Sequence, residues 1–150
     1  EICREYRQKG MDITIFRPRM INGPSRLGIL VKLFKLIDMS LPVPTIGNGK
    51  NHYQMISVFD CVSAILCAIN KGLPNKEYNL GSKNPPDIRT LLQRVITSAN
   101  KHSVVIPTSG KLVKLVLGLL DKYGFTLMYP EQFMIADEEY ILDIQETKKI

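Results

Sequence analysis

GNGKNHYQMISVFD, residues 47–60, is the stretch that decides how this chain is read. Two glycines flank an asparagine, polar and basic residues follow, and then an apolar alternation leads to an acid. Three readings compete: a loop that grips phosphate, a plain turn, and the edge of a ligand pocket. A phosphate loop needs a helix N-terminus directly behind its glycines. Here the segment opens into a strand at 54–58 instead. Gly47-Asn48-Gly49 therefore reads as a tight turn that uses positive φ.

Working outward, the apolar run from Phe59 to Lys71 reads as a helix that is apolar nearly all round, hence deeply buried, and closed by Gly72. Asp60 falls in its first turn, where a negative charge suits the helix dipole, so its expected work is structural. Beyond that helix, EYNLG (77–81) reads as a strand. After Pro85-Pro86, Asp87 is positioned to cap a helix whose Ile88, Leu91, Leu92, Val95, Ile96 and Ala99 share one face. VVI (104–106) is a candidate strand, and Lys111 to Tyr123 a further amphipathic helix. Its stripe from Leu112 to Leu120 is expected to be core or pocket lid in preference to a membrane-surface helix. YILDIQETKKI (140–150) reads as a short extended piece, with Asp143 capping a new helix.

Upstream, residues 1–9 read as the end of a helix with Gly10 behind it, and no capping residue opens that helix. DITIF (12–16) is a β-branched strand, expected to be buried and to end at Arg17-Pro18. NGPS (22–25) is a turn, with Ser25 capping a helix whose Leu27, Leu30, Val31, Phe34 and Ile37 form a stripe. PVPTI (42–46) is a short strand with prolines suited to an edge. Strands separated by helices point to an α/β fold with parallel pairing.

The totals narrow the function. At 150 residues one compact domain is the default. The net charge of +6 tilts partners toward anions, but the basic residues are scattered and form no nucleic-acid arm. Cys3, Cys61 and Cys67 contain no C-x-x-C pair, which argues against a disulfide framework or zinc site; Cys61 and Cys67 read as small buried hydrophobes. His102 stands alone, and Asp137, Glu138 and Glu139 read as a solvated acidic face, so no metal site is expected. No apolar run approaches the roughly 20 residues a bilayer requires. A cytoplasmic protein that binds neither membrane nor nucleic acid is the expectation.

The motifs now assembled carry a family likeness. RPRMINGP (17–24) resembles the Arg-Pro-x-x-x-x-Gly-Pro segment of the extended short-chain dehydrogenase/reductases, the NAD-dependent epimerase/dehydratase family. GNGKNHYQMISVFDCVSAILCAI (47–69) is similar to that family's Gly-Asp-Gly … Val-x-Asp strand and following helix. EYNLGS (77–82) resembles its Tyr-Asn-Leu-Gly strand, and YILDIQETKKI the lead-in to its closing Leu-Gly-Trp motif. The resemblance implies the C-terminal part of a Rossmann-like fold, with partly parallel strands and a small α/β substrate domain. Residues 1–150 would be the substrate-binding portion of a longer enzyme. The family's glycine-rich phosphate loop and its Tyr-x-x-x-Lys pair are not in this sequence. The resemblance would set that pair just before Glu1, so no catalytic residue is assigned here.

By the same resemblance, Pro18, Arg19, Met20 and Ile21 would run beside the nicotinamide end of NAD or NADP, held mainly by an N-terminal part. For Arg19 and Met20 alone, a plain strand end is the competing reading. Asn22, Ile46, Tyr53 and Gln54 are the implied substrate contacts. Asn22 also suits the turn, and Tyr53 also suits packing at a strand start. Tyr53 stands where sugar-nucleotide members carry an arginine for the diphosphate, and a phenol lacks that bidentate charge. Met20 replaces a frequent asparagine. The implied function is a nucleotide-sugar epimerase or dehydratase, or a related reductase. The alternatives are a reductase of a hydrophobic, sterol-like or flavonoid-like alcohol and a non-catalytic scaffold on the same fold. The expected partners are a small-molecule substrate, a nucleotide sugar among the candidates, and the chain's own N-terminal domain; a homodimer is compatible.

Overall fold

In the computed structural model, which describes residues 1–24, 30–73, 75–124 and 129–149, three strand pairs organise the described residues, all parallel. β1 (Ile15–Pro18) pairs with β5 (Glu77–Leu80), β2 (Met20–Asn22) with β4 (Met55–Ser57), and β3 (Val43–Thr45) with β6 (Val105–Pro107). The helices are α1 (Ile2–Gln8), α2 (Leu30–Asp38), α3 (Val58–Lys71), α4 (Ile88–Ser98), α5 (Gly110–Lys122) and α6 (Pro130–Met134), with a 3-10 turn at Thr147–Lys149. Each parallel pair joins segments far apart in sequence, as parallel pairing requires. The expected α/β class with parallel strands is the one observed.

Length alone sets one domain as the default; the chain divides into two compact units. One takes in Glu1–Arg26, Gln54–Pro85 and Ile141–Ile150, the other Leu27–Tyr53 and Pro86–Tyr140. The pairs β1–β5 and β2–β4 belong to the first unit, and β3–β6 to the second.

In the first unit, Tyr78, Leu80, Ile56 and Ala68 are buried, and the Phe16 ring stacks on Tyr78 with centroids 5.9 Å apart. The strand expected at 12–16 forms later and includes Pro18. The ladder explains why. Ile15 N donates to Lys76 O and Arg19 N to Leu80 O, so donors toward β5 fall at odd positions. Pro18, which lacks an N–H, falls between them and costs the ladder nothing. The strand is half-buried to exposed, not buried. Arg7 ties α1 to it by donating to Ile13 O at 2.7 Å and Lys76 O at 3.1 Å.

Helix α3 corrects a sequence expectation. It starts at Val58, capped by Ser57 Oγ accepting from Phe59 N, and Gly72 closes it at φ 55°. Only Ala68 of its residues is buried; Phe59, Val62, Ile65, Leu66 and Ile69 are all exposed. An apolar circumference signals that a helix needs cover on every side, and these residues supply cover on one side.

In the second unit, Ile37, Val43, Leu92, Ile96 and Val105 form the core, with Leu33, Phe34, Leu36, Ile88 and Val95 packed around it. The α4 face reads through from the sequence except at Ala99, which follows the helix as its C-cap and is exposed, and Asp87 caps that helix by accepting from Thr90 N at 2.6 Å. On α2, Leu30 and Ile37 are buried as expected, but Val31 is exposed. Leu27 and Ser25, assigned to that helix and its cap, lie outside the described residues. The stripe on α5 is not core: Leu112 and Leu115 are each 60% exposed. Two other features differ. α6 carries no apolar period that its five residues could reveal, and proline at its start sets its first turn. Asp143 accepts from Gln145 N to make a turn ahead of the 3-10 segment, where a capped α-helix was expected.

Candidate functional site

The first unit brings most of the expected site residues to one place. Pro18 ends β1 opposite Leu80, the last residue of β5. The chain then passes through Arg19, whose N–H donates to Leu80 O, into Met20, Ile21 and Asn22 of β2. Met20 pairs with Met55 and Asn22 with Ser57. Residues 18–22 thus lie at the carboxyl end of the parallel β1–β5 pair, the position where open α/β sheets bind ligands. Ile21 is exposed, while Arg19, Met20 and Asn22 are half-buried.

Gln54 is 2% exposed, and its amide is fully engaged. Its Nε2 donates to Ser82 O at 3.1 Å, and its Oε1 accepts from Leu142 N at 2.8 Å. The side chain therefore joins the start of β4 to two other segments of the unit. Beside it opens a cavity of about 260 Å³ whose lining combines Ile56, Leu80 and Ile144 with Asp60, Lys83 and Lys148. Sequence reasoning did not single out Lys83 or Lys148, because a cavity assembled from three distant segments has no local signature. Cys61, one turn into α3, is half-buried; burial pushes its thiol pKa up, and neighbouring Asp60 adds to the shift.

The second unit holds Ile46 and Tyr53, both half-buried, at either side of the opening glycine turn. Gly47 and Gly49 adopt φ of 76° and 71°, and Asn48 Oδ1 accepts from Lys50 N. The turn is not an anion cradle, and the reason is visible in the N–H groups of α4. Ile88 N donates to Asn51 O, Arg89 N to Gly49 O and Thr90 N to the Asp87 carboxylate. The donors that a phosphate would need are already satisfied by loop carbonyls and an acid.

The same loop is tied to the segment before Tyr140. Asn51 Nδ2 donates to Ala136 O at 2.9 Å, and Glu139 accepts from His52 N at 3.0 Å and meets His52 Nδ1 at 2.7 Å. The His52 N–H foremost, then the ring, holds the Glu139 carboxyl below its ordinary range. Tyr53 N donates to Pro86 O, and Tyr53 bridges Tyr140. The acidic run at 137–139 is therefore not simply a solvated face. Asp137 is half-buried, with Lys114 Nζ 2.5 Å from its Oδ1. That oxygen makes no well-angled hydrogen bond, so the approach is one of charge more than of direction. Among the described residues no cluster of three metal-ligating side chains occurs.

A parallel α/β scaffold with its loop residues gathered at strand carboxyl ends is the arrangement of a nucleotide-cofactor fold. The model of the NAD dependent epimerase/dehydratase family matches residues 1–81, and the chain belongs to that family. It is 31% identical over 150 residues to the uncharacterized protein y4nG of Sinorhizobium fredii, covering 99% of this chain and 37% of that protein. Its fold is similar to that of the UDP-glucose 4-epimerase of Thermotoga maritima, solved with UDP-glucose: TM-score 0.63 and 20% identity, over 99% of this chain and 43% of that one. The UDP-glucuronic acid 4-epimerase of Bacillus cereus, solved with NAD, matches with TM-score 0.62 and 18% identity, over 72% of this chain and 37% of that one. The chain spans less than half the length of each of these proteins.

Proposed function

We propose that residues 1–150 form the substrate-side portion of an NAD(P)-dependent nucleotide-sugar epimerase or dehydratase, with the dinucleotide grip and the Tyr-x-x-x-Lys pair in an N-terminal part outside this sequence. The observation that carries this reading is the set of residues 18–22 at the carboxyl end of β1–β5, inside the stretch matched by the family. In this role Pro18 to Ile21 flank the nicotinamide, and Asn22, Ile46, Tyr53 and Gln54 face the substrate. Pro18 offers no N–H to compete for the cofactor. Gln54 contributes mainly by holding its neighbours' backbone, since its amide is already bonded. The chemistry is transient hydride transfer between the cofactor and a hydroxyl-bearing carbon, with proton transfer by the tyrosine of the other part. UDP-sugar enzymes among the structural relatives favour a nucleotide sugar.

One observation favours a second reading, a reductase of a less charged alcohol. The ring of His52, the side chain adjacent to Tyr53, is engaged by the Glu139 carboxylate at 2.7 Å and is not held ready for a diphosphate. Calorimetry separates these readings. The 150-residue chain shows no NAD binding, whereas a protein extended upstream through a Tyr-x-x-x-Lys pair binds NAD and then UDP-glucose. NAD affinity in the short chain overturns the proposal; NAD without UDP-sugar affinity in the long one selects the second reading.

A further inference from the structure

Helices α3 and α5 both leave apolar stripes open to solvent, and they differ in what borders them. On α3, Phe59, Val62, Ile65, Leu66 and Ile69 are exposed. At 100° per residue their neighbours on the wheel are Ser63 and Asn70, and both charges, Asp60 and Lys71, fall on the opposite side. A charge-free apolar stripe has the composition of a surface meant for protein. On α5, Leu112, Leu115, Val116 and Leu119 are exposed, followed by Tyr123 at 76%. Lys111 and Lys122, both exposed, border this stripe on one margin, one at each end of the helix. The acid of this helix, Asp121, lies on the far side, as does Lys114, which is held by Asp137. The open face of α5 is thus leucine and valine, a tyrosine, and lysine, with no carboxylate.

We propose that α5 is an interfacial helix that lays this face on an anionic lipid surface. The apolar ridge enters the boundary between headgroups and acyl chains. The lysine stems follow the ridge while their ammonium groups reach lipid phosphates. Tyr123 presents an apolar ring and a polar tip, which suits that boundary. Thirteen residues span about 20 Å, short of the roughly 30 Å hydrocarbon core. No helix of the described residues is long and apolar enough to cross a membrane, so α5 lies on the surface and does not span it. The net charge of +6 adds long-range attraction to the same surface.

Flotation of the 150-residue chain with phosphatidylcholine vesicles, with and without about 30% phosphatidylserine, tests this. The chain is expected to float with the phosphatidylserine vesicles at low salt and to be released at about 0.5 M salt. Leu115→Glu with Leu119→Glu should weaken binding about tenfold or more without lowering the unfolding midpoint, because both side chains are exposed. Lys111→Gln with Lys122→Gln should cost about tenfold on the anionic vesicles, and decides the matter if the glutamate variant fails to fold. No flotation at low salt, or flotation indifferent to both variants, overturns the proposal. So does a dimer in sedimentation that Leu115→Glu with Leu119→Glu dissolves while the wild type ignores vesicles.

Discussion

The Gln54 amide occupies the space that a side chain on Gly81 would need: a Cβ there would lie 2.5 Å from Gln54 Cδ. Gln54 is the residue before β4, and Gly81 the residue after β5. Their contact fixes how closely the strand ends carrying the candidate site can approach. Gln54 cannot simply swing away, because Ser82 O and Leu142 N hold it.

Gly81→Ala is therefore expected to destabilise the chain by about 1–3 kcal/mol through overpacking and loss of the amide's bonds. Urea unfolding measures this. In a Gln54→Ala background the same substitution should be close to neutral, since the clashing group is gone, and a double-mutant cycle reports the difference. Equal costs in both backgrounds would show that the contact is not what excludes a side chain.

Asp87 makes stability depend on pH. Its carboxyl is held below the ordinary aspartate range, chiefly by the Thr90 backbone N–H, against partial burial, with the Thr90 hydroxyl, His52 and Arg89 adding to the lowering. A lowered native pKa stabilises the fold above the ordinary range, and that contribution fades as pH falls through the native value. Asp87→Ala should cost about 0.5–2 kcal/mol at neutral pH as a lost cap. Asp87→Asn keeps a cap oxygen without the charge. Its deficit against wild type should be present at neutral pH and close in acid; a pH-independent deficit would sink the electrostatic account.

Leu92 sits at 1% exposure in the core formed with Ile37, Val43, Ile96 and Val105. Leu92→Ala should cost about 2–5 kcal/mol by transfer and cavity terms together. Denaturant midpoints at constant slope check it, and a loss of a few tenths would mean that the site collapses or is exposed.

Much of the local structure was legible because its causes are local. The alternation around Ile56, the Asp87 cap, the Gly47-Asn48-Gly49 turn and the period of α4 each rest on neighbours in the chain. The same holds for the family motifs at 17–24, 47–69 and 77–82. Pro18 does end β1, but it and Arg17 lie inside the ladder and not beyond it, because a missing N–H matters only on the edge that faces a partner, and the partner strand lies some 60 residues away.

The amino-acid sequence by itself determined the α/β class, the parallel pairing and the family, since periodicity, turn residues and motif order are properties of short segments. Only the tertiary structure decided that Gln54 is a buried tie, that His52 and Lys114 are claimed by Glu139 and Asp137, and that the apolar faces of α3 and α5 stand open. Whether a side chain is covered depends on which distant segment arrives beside it, and hydrophobicity alone states only the need for cover, not its supply.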